Sequence, residues 1–201
     1  MPIITVSNLK GGTGKTTTVI YLATAMARMG KDVTVLDCDP QGSASTWEER
    51  AEGEGGLGFP VMPANVNTIA RWVKRTASQP EQWVFIDCQP GASDSVDAAL
   101  EAADHVIVPV VPTATIVERM WGTLLMTERK EKPAHVLLVD VQPRRIETVQ
   151  LEQVIEDEEI PVFSARINSS AALRRTFGHS LPEELFGYED VANELETMIN
   201  D

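Results

Sequence analysis

A glycine-rich loop that carries two lysines is the stretch of this sequence best suited to chemistry. It covers residues 10–17, reads KGGTGKTT, and lies between a short apolar run and a stretch with helical apolar spacing. Glycines let backbone N–H groups turn inward to cradle phosphate oxygens, and the start of the following helix adds the positive end of its dipole. Lys15 can reach the β- and γ-phosphates of a nucleotide, and the Thr16 hydroxyl can ligate Mg²⁺. The loop therefore predicts a site for ATP and Mg²⁺.

The arrangement of glycines and lysines distinguishes this loop from the common P-loop. The common pattern, G-x-x-x-x-G-K-[ST], would need glycine at position 9, where this chain has Leu9. The residues match instead the variant K-G-G-x-G-K-[ST]-[ST], in which Lys10 is the additional lysine. The predicted contacts to the nucleotide are Gly11, Gly12, Thr13, Gly14, Lys15, Thr16 and Thr17.

Carboxylates follow two of the apolar runs. One run ends in LDCDPQG over residues 36–42, and another ends in IDCQPG over residues 86–91. A carboxylate at the end of a buried strand can hold Mg²⁺ through water or orient a water for attack, and an apolar strand ending in Asp is the Walker B pattern. We predict that Asp37 and Asp87 join Thr16 around the metal. The alternative for Asp37 and Asp39 is that they only cap the helix that begins near Gln41.

Together the loop and the two strand ends resemble the deviant Walker A ATPases of the ParA/MinD superfamily, which includes plasmid and chromosome partition ATPases. The resemblance extends over nearly the whole chain and implies Mg-dependent hydrolysis of ATP to ADP and phosphate, weak unless a partner stimulates it. It implies a catalytic set of Lys10, Lys15 and Asp39: Lys10 reaches across an ATP-bound sandwich dimer to the partner's phosphates, and Asp39 positions the attacking water. The chain departs from the family at Gln89, where proline is usual.

Short apolar runs alternate with helical stretches along the whole chain. Strands are predicted over residues 3–6, 32–36, 59–62, 83–86, 105–111, 134–139 and 161–165, and helices over 15–29, 41–51, 66–77, 93–103, 115–130, 148–156, 171–176 and 191–199. This alternation is typical of a parallel sheet with helices on both faces. We therefore expect a three-layer α/β fold of the P-loop NTPase type, with about seven strands and a single domain over residues 1–201.

Composition and charge narrow the class of protein further. The 201 residues carry a formal net charge of −13, which argues against a protein coated broadly in nucleic acid. Two cysteines, without a C-x-x-C or histidine-rich pattern, argue against a disulfide scaffold or a zinc site. No apolar run approaches 18 residues and no secretory leader is visible, so we expect a cytoplasmic protein.

A small basic region lies inside this acidic chain. Arg166, Arg174 and Arg175 fall in a stretch that contains no acidic residue as far as Pro182. The resemblance to ParA proteins implies nonspecific DNA binding by the ATP-bound dimer, and these arginines are our candidates for the contact. The alternative is that they are solvated arginines paired with nearby glutamates. The same resemblance places the adenine pocket at the ends of the last strands, near Asp140, Arg166 and Ile167.

Several interpretations of the biological role remain open at this level. The principal one is partition of a plasmid or chromosome by a nucleoid-associated homodimer, with a ParB-like centromere-binding adaptor as partner. A MinD-like membrane ATPase would need a basic C-terminal helix, whereas residues 189–201 carry five acidic and no basic side chains, so no membrane contact is expected. A third interpretation is a metabolic P-loop enzyme of the same superfamily, such as a ligase or synthetase, and Lys10 counts against it. A fourth keeps the ATPase on the nucleoid and exchanges the DNA cargo for a protein complex. Because the first strand begins within three residues of the start, no N-terminal helix-turn-helix domain is expected.

Overall fold

One parallel sheet forms the centre of the molecule. The computed structural model describes residues 2–76, 81–113 and 115–200. Within these ranges the strands are β1 Ile3–Val6, β2 Asp32–Asp37, β3 Val61–Pro63, β4 Gln82–Asp87, β5 His105–Val110 and β6 Ala134–Leu138. Their order across the sheet is β3-β2-β4-β1-β5-β6, and every neighbouring pair is parallel. The predicted α/β fold is confirmed.

Helices cover both faces of the sheet. Their bounds are α1 Lys15–Arg28, α2 Ser43–Ala51, α3 Val66–Thr76, α4 Asp94–Ala102, α5 Ile116–Arg129, α6 Ile146–Asp157, α7 Ala171–Arg174 and α8 Tyr188–Asn200. α1, α2 and α8 share one buried core, and α3 to α6 share the other. Residue 77, the last of the helix predicted over 66–77, lies outside the described ranges. No helix within those ranges is both long and apolar enough to cross a membrane.

The strands are apolar on both faces because helices cover them on both sides. In β4, Trp83 and Phe85 belong to the core beneath α1 and α8, whereas Val84 and Ile86 belong to the core beneath α3 to α6. This alternation follows from the twofold periodicity of a strand. The two cysteines, Cys38 and Cys88, are buried and unbonded to each other.

The seventh predicted strand, over residues 161–165, is not a strand in the structure. Its contact with β6 is an isolated bridge between Val162 and Val136. The Phe163 N–H donates to the Val136 carbonyl, and the next N–H that would face β6 is that of Ala165. It donates instead to Glu194 Oε2 on α8 at 3.2 Å. Pro161 has no N–H to contribute. The described sheet therefore has six strands rather than about seven, because Glu194 takes the donor that would extend the pairing.

The register of the central strands brings the functional sequences together. Asp87 at the end of β4 pairs with Val6 at the end of β1 and with Asp37 at the end of β2. Residues 7–9 connect Val6 to the glycine-rich loop of residues 10–17, called the phosphate loop from here on. The three sequences singled out above therefore meet at the carboxyl edge of the sheet, where parallel α/β folds bind their ligands.

Two histidines lie near the opposite end of the sheet. His105 Nε2 and His135 Nδ1 are 3.0 Å apart, their rings stack, and Phe163 packs against both. Burial, aided by the charge that His135 would carry, lowers the pKa of His105 to about 4. Burial also lowers the pKa of His135. The folded state therefore favours a neutral pair.

This pair should make stability depend on pH. A lowered histidine pKa means that the unfolded chain binds the proton first, so the stabilisation is complete above the unfolded pKa of about 6.5 and is lost as pH falls towards 4. The loss attributable to His105 should be on the order of 3 kcal/mol. We expect His105→Gln to lose less unfolding free energy than the wild type between pH 7 and pH 4.5 in urea titrations. Equal losses would contradict this role.

Candidate nucleotide-binding site

The phosphate loop joins β1 to α1 in a conformation that requires glycine. Gly12 has a φ of 73° and Gly14 a φ of 78°, both in the left-handed region that other residues adopt only with strain. Gly14 is also the N-terminal cap of α1, and its carbonyl accepts the N–H of Thr18 at 2.8 Å. The loop therefore ends where the helix dipole begins, an arrangement suited to anions.

Lys15 is buried at the base of this loop. Its Nζ donates to the carbonyl oxygen of Lys10 at 3.1 Å, which ties the two ends of the loop together. Burial lowers the pKa of Lys15, and the nearby acidic groups, Asp87 first among them, act in the opposite direction. A partly desolvated cation beside the loop would interact strongly with phosphate oxygens.

Lys10 is held against its own chain by two residues that the sequence analysis missed. Its backbone N–H donates to Asn8 Oδ1 at 2.9 Å, and its Nζ donates to Thr113 Oγ1 at 3.1 Å. Asn8 in turn donates from Nδ2 to the carbonyl of Pro109 at 2.8 Å. The loop is thus braced against β5 and the segment after it. A polar residue two positions before the loop was the available signal for Asn8. For Thr113 the signal was the proline-rich segment that it ends.

The Asp87 carboxylate meets the Thr16 hydroxyl at the bottom of the site. Thr16 Oγ1 donates to Asp87 Oδ2 at 2.7 Å, while the buried Oδ1 has no hydrogen-bond partner within the described residues. Burial is the largest cause that raises the pKa of Asp87 to about 7. An unpaired carboxylate oxygen in the interior is unfavourable, and a divalent cation would compensate it. These two oxygens fit Mg²⁺, which prefers hard oxygen ligands.

Few protein side chains are available to complete such a metal site. Among the described residues, no cluster of three or more His, Cys, Asp or Glu side chains is arranged to hold a metal ion. Mg²⁺ commonly uses one or two protein oxygens and takes its other ligands from phosphates and water. The pair of Thr16 and Asp87 is therefore sufficient for an ion bound together with a nucleotide.

Asp37 and Asp39 shape the loop that follows β2. Asp37 Oδ2 accepts the N–H and the hydroxyl of Ser45 at 2.9 and 2.8 Å, and Oδ1 accepts the N–H of Asp39 at 3.2 Å. Asp37 thus fixes the first turn of α2, as the capping alternative anticipated. Asp39 is half-buried, accepts the Gln41 N–H at 2.9 Å, and is close enough to Lys15 to influence its pKa. Asp39 is therefore near the phosphate loop, and the proposed metal contact of Asp37 remains a prediction.

A cavity of about 220 Å³ opens beside the phosphate loop. Gly12, Gly14 and Thr17 form one wall. The opposite wall is mostly apolar with a few polar groups, and consists of Val111, Val139, Asp140, Ile167, Asn168, Ser170, Leu173, Arg174 and Tyr188. Two of the adenine-pocket candidates, Asp140 and Ile167, line this cavity, and Arg166 does not. A mostly apolar cleft adjoining a phosphate cradle is suited to a nucleotide base.

The three candidate DNA-binding arginines have different surroundings. Arg174 donates to Asp140 Oδ1 at 2.8 Å and to Ser169 Oγ at 3.1 Å. Arg166 pairs with Glu152 at 2.6 Å. Arg166 thus pairs with a glutamate, as the alternative anticipated, whereas the partner of Arg174 is an aspartate. Arg175 is exposed and forms no ion pair within the described residues.

Two further arginines lie next to this region and were missed by the sequence analysis. Arg144 and Arg145 are exposed, and with Asn168 and Ser169 they line a cavity of about 460 Å³. Ser169 also accepts the bond from Arg174, so these arginines and Arg174 flank the same residue. The signal in the sequence was a pair of adjacent arginines with no acidic residue between Asp140 and Glu147.

Comparison with known proteins places the chain in a family. A family model described as the CobQ/CobB/MinD/ParA nucleotide binding domain matches residues 4–182, and the chain belongs to this family. The "Maintenance of carboxysome distribution protein A" of Gloeobacter kilaueensis is 31% identical over 210 residues, covering 96% of this chain and 94% of the relative. The chromosome-partitioning ATPase Soj of Thermus thermophilus is 36% identical over 151 residues, covering 62% of this chain and 61% of Soj.

A solved structure agrees with this placement at the level of the fold. The septum site-determining protein MinD of Pyrococcus horikoshii, complexed with Mg-ADP, superposes with a TM-score of 0.79 at 17% identity and covers 98% of this chain and 97% of its own. The predicted membership of the ParA/MinD superfamily is confirmed, and the chain is a ParA/MinD-type P-loop ATPase by family.

The roles assigned to Asp87 and Lys15 can be separated by calorimetry. Asp87→Asn keeps an acceptor for Thr16 and removes the anionic oxygen, so we expect ATPγS to bind as in the wild type without Mg²⁺. The gain in affinity that Mg²⁺ gives the wild type should fall by about 10- to 100-fold. Lys15→Gln should weaken nucleotide binding whether or not Mg²⁺ is present. A full Mg²⁺ effect in Asp87→Asn would contradict the metal assignment.

Proposed function

We propose that the protein is a ParA-type ATPase that uses Mg-ATP binding and hydrolysis to position a cargo over DNA. The observation that carries the proposal is the phosphate loop braced between β1 and α1, with the Thr16–Asp87 pair beneath it and Lys10 at its entrance. Family membership supports nucleotide binding. The related fold of MinD complexed with Mg-ADP supports the choice of metal.

Each side chain of the site has a distinct part in the proposed reaction. The N–H groups of the glycine-rich loop and Lys15 bind the phosphates and stabilise the negative charge that develops during transfer. Thr16 and Asp87 hold Mg²⁺, which neutralises phosphate charge when it is bound. Asp39, adjacent to Lys15, orients the attacking water, and Asp37 holds the Asp39 loop in place. The products are ADP and phosphate.

Lys10 makes the proposed site dependent on a second copy of the chain. In the single chain its Nζ donates to Thr113 Oγ1 at 3.1 Å, a contact within its own subunit. We propose that, when ATP drives dimerisation, Lys10 Nζ releases the Thr113 hydroxyl and binds the phosphates in the partner subunit. A cation supplied in trans would couple hydrolysis to dimer formation.

Lys10→Ala should separate nucleotide binding from dimerisation. We expect this variant to bind ATPγS as the wild type does, because Lys10 donates no side-chain bond within its own loop. It should stay monomeric with Mg-ATPγS in light scattering at concentrations where the wild type dimerises. Thr113→Val, which removes the competing acceptor, should dimerise at least as well as the wild type. An ATP-dependent dimer of Lys10→Ala as stable as the wild-type dimer would refute the cross-subunit role.

The cargo is proposed from the relatives. The carboxysome distribution protein of Gloeobacter kilaueensis covers almost the whole chain, which supports a protein assembly as cargo. Soj, a chromosome-partitioning ATPase, supports partition of DNA as the second candidate. In both cases an adaptor bound to the cargo, ParB-like in the partition case, would stimulate hydrolysis. Localisation to the cytoplasm, on the nucleoid, is part of the same proposal.

DNA binding is proposed for the arginines at the β6 edge of the sheet. Arg144, Arg145 and Arg175 are exposed, and Arg174 lies between them and the nucleotide cavity. Exposed arginines can contact phosphates without reading sequence. Because Arg174 also lines the nucleotide cavity, bound nucleotide could change how this cluster is presented. A dimer would present the cluster twice.

The experiment that tests the proposal is binding to arbitrary duplex DNA with ATPγS, with ADP and without nucleotide. We expect binding with ATPγS alone. Arg144→Ala/Arg175→Ala should weaken it and reduce the slope of log affinity against log salt by about one for each phosphate that the variant no longer binds. Arg129→Ala/Lys132→Ala removes the same charge from the α5 region and should leave binding unchanged. Binding that is independent of nucleotide, or absent throughout, would overturn the DNA proposal.

A further inference from the structure

Helix α3 has a charge opposite to that of the chain around it. Its sequence, VNTIARWVKRT, contains three cations and no carboxylate, whereas the whole chain has a net charge of −13. The helix is also strongly amphipathic, since Ile69 and Trp72 are buried in the core that α3 shares with α4. Neither property is used by the nucleotide site described above.

The exposed side of α3 consists of two parallel stripes. Val66, Ala70 and Val73 recur at helical spacing and are exposed, with Val66 and Val73 at 42% and 40%. One position further along the helix, Arg71 and Lys74 form the second stripe, and both are exposed. We call these five residues the α3 surface. It joins small apolar side chains to a row of positive charge.

The cations of this surface are available for a partner. Arg71 and Lys74 form no ion pair within the described residues. The third cation, Arg75, is placed over the Trp72 ring at 4.4 Å from its centroid and lies at the border of the buried face. The exposed positive charge therefore stands directly beside the apolar stripe.

We propose that the α3 surface is a docking site for an acidic amphipathic helix of a partner protein. Small side chains allow a second helix to approach closely, and carboxylates flanking its apolar stripe would face Arg71 and Lys74. Charge complementarity of this kind also selects the partner and speeds its association.

The composition of the surface argues against other anionic ligands. An anionic membrane is contacted by clusters of about four to eight cations, or by exposed large apolar side chains, and α3 buries its Trp72 and Ile69. Duplex DNA would offer nothing apolar to the stripe of Val66, Ala70 and Val73, because its affinity comes from phosphate contacts. A helix that is both acidic and apolar matches both stripes.

The α3 surface lies beside the nucleotide site and shares no residue with it. The segment between β3 and α3 is hydrogen-bonded to the end of β2, because the Ala64 N–H donates to the Asp37 carbonyl at 2.8 Å. Asn65 then caps the helix, accepting the Thr68 N–H at 3.1 Å. Changes to exposed side chains of α3 should therefore leave nucleotide affinity intact, which separates this proposal from the proposed function.

The test uses the full chain and a labelled helical peptide of about 18 residues made of Leu, Ala and Glu, with Glu flanking a Leu stripe. Fluorescence anisotropy should show binding to the wild type. Arg71→Glu/Lys74→Glu should weaken it at least about tenfold. Arg129→Glu/Lys132→Glu, with the same change of charge on the α5 side, should bind normally. Ala70→Gln, which interrupts the apolar stripe without changing charge, should also weaken binding.

Several outcomes would overturn the docking proposal. One is that the wild type does not bind the peptide. Another is that a scrambled peptide without the Leu stripe binds as tightly as the original peptide. A third is that the Arg71→Glu/Lys74→Glu and Ala70→Gln variants both bind the peptide as tightly as the wild type. Loss of binding to duplex DNA or phosphatidylglycerol vesicles in Arg71→Glu/Lys74→Glu would reassign the surface to those ligands. Wild-type self-association abolished by the same variant would reassign it to a second copy of the chain. Unchanged ATPγS affinity shows in each case that the variant is folded.

Discussion

Burial of the Asp87 carboxylate beside the Thr16 hydroxyl is the interaction around which the site is arranged. β4 lies between β1 and β2, so the parallel register sets Asp87 next to Val6 on one side and Asp37 on the other. Val6 leads into the phosphate loop, and Asp37 leads into the loop of Asp39. Thr16 donates a hydrogen bond to Oδ2 of Asp87, and Oδ1 has no hydrogen-bond partner within the described residues. Burying this unpaired oxygen is unfavourable for the folded state, and a bound cation would offset the cost.

Short-range patterns predicted the site better than they predicted the surfaces around it. Glycine spacing and strand-end carboxylates identified the loop, Thr16 and Asp87, because those roles depend on local backbone conformation and on the end of a strand. The prediction of a seventh strand was wrong because Glu194, about thirty residues away in sequence, accepts the Ala165 N–H that would extend the pairing with β6. Arg174 likewise could not be interpreted without its long-range partner Asp140. Contacts between distant residues leave no periodic signal in a single sequence.

The phosphate loop is also linked to the C-terminal part of the chain. α1 begins within the loop, and its Thr18 hydroxyl lies 3.2 Å from the Tyr188 hydroxyl at the start of α8. One turn further, the Tyr21 hydroxyl lies 2.9 Å from Thr176 Oγ1, and the two tyrosine rings stack. These contacts are buried or partly buried, so the cavity wall formed by Tyr188 and Arg174 is held in a defined position relative to the phosphate loop. A change in the loop on nucleotide binding therefore has a direct structural route to the arginine cluster.

The positive charge of this acidic chain is concentrated at separate places. α3 shares its core with β2 and β4, whereas Arg144 and Arg145 follow β6 at one edge of the sheet. β4 and β6 are three strand spacings of about 4.8 Å apart, about 14 Å in all, which is more than one Debye length at physiological ionic strength. Salt therefore screens much of the effect that either patch has on a ligand bound at the other. The two patches therefore suit two different partners, and charge at one can be altered with little effect on binding at the other.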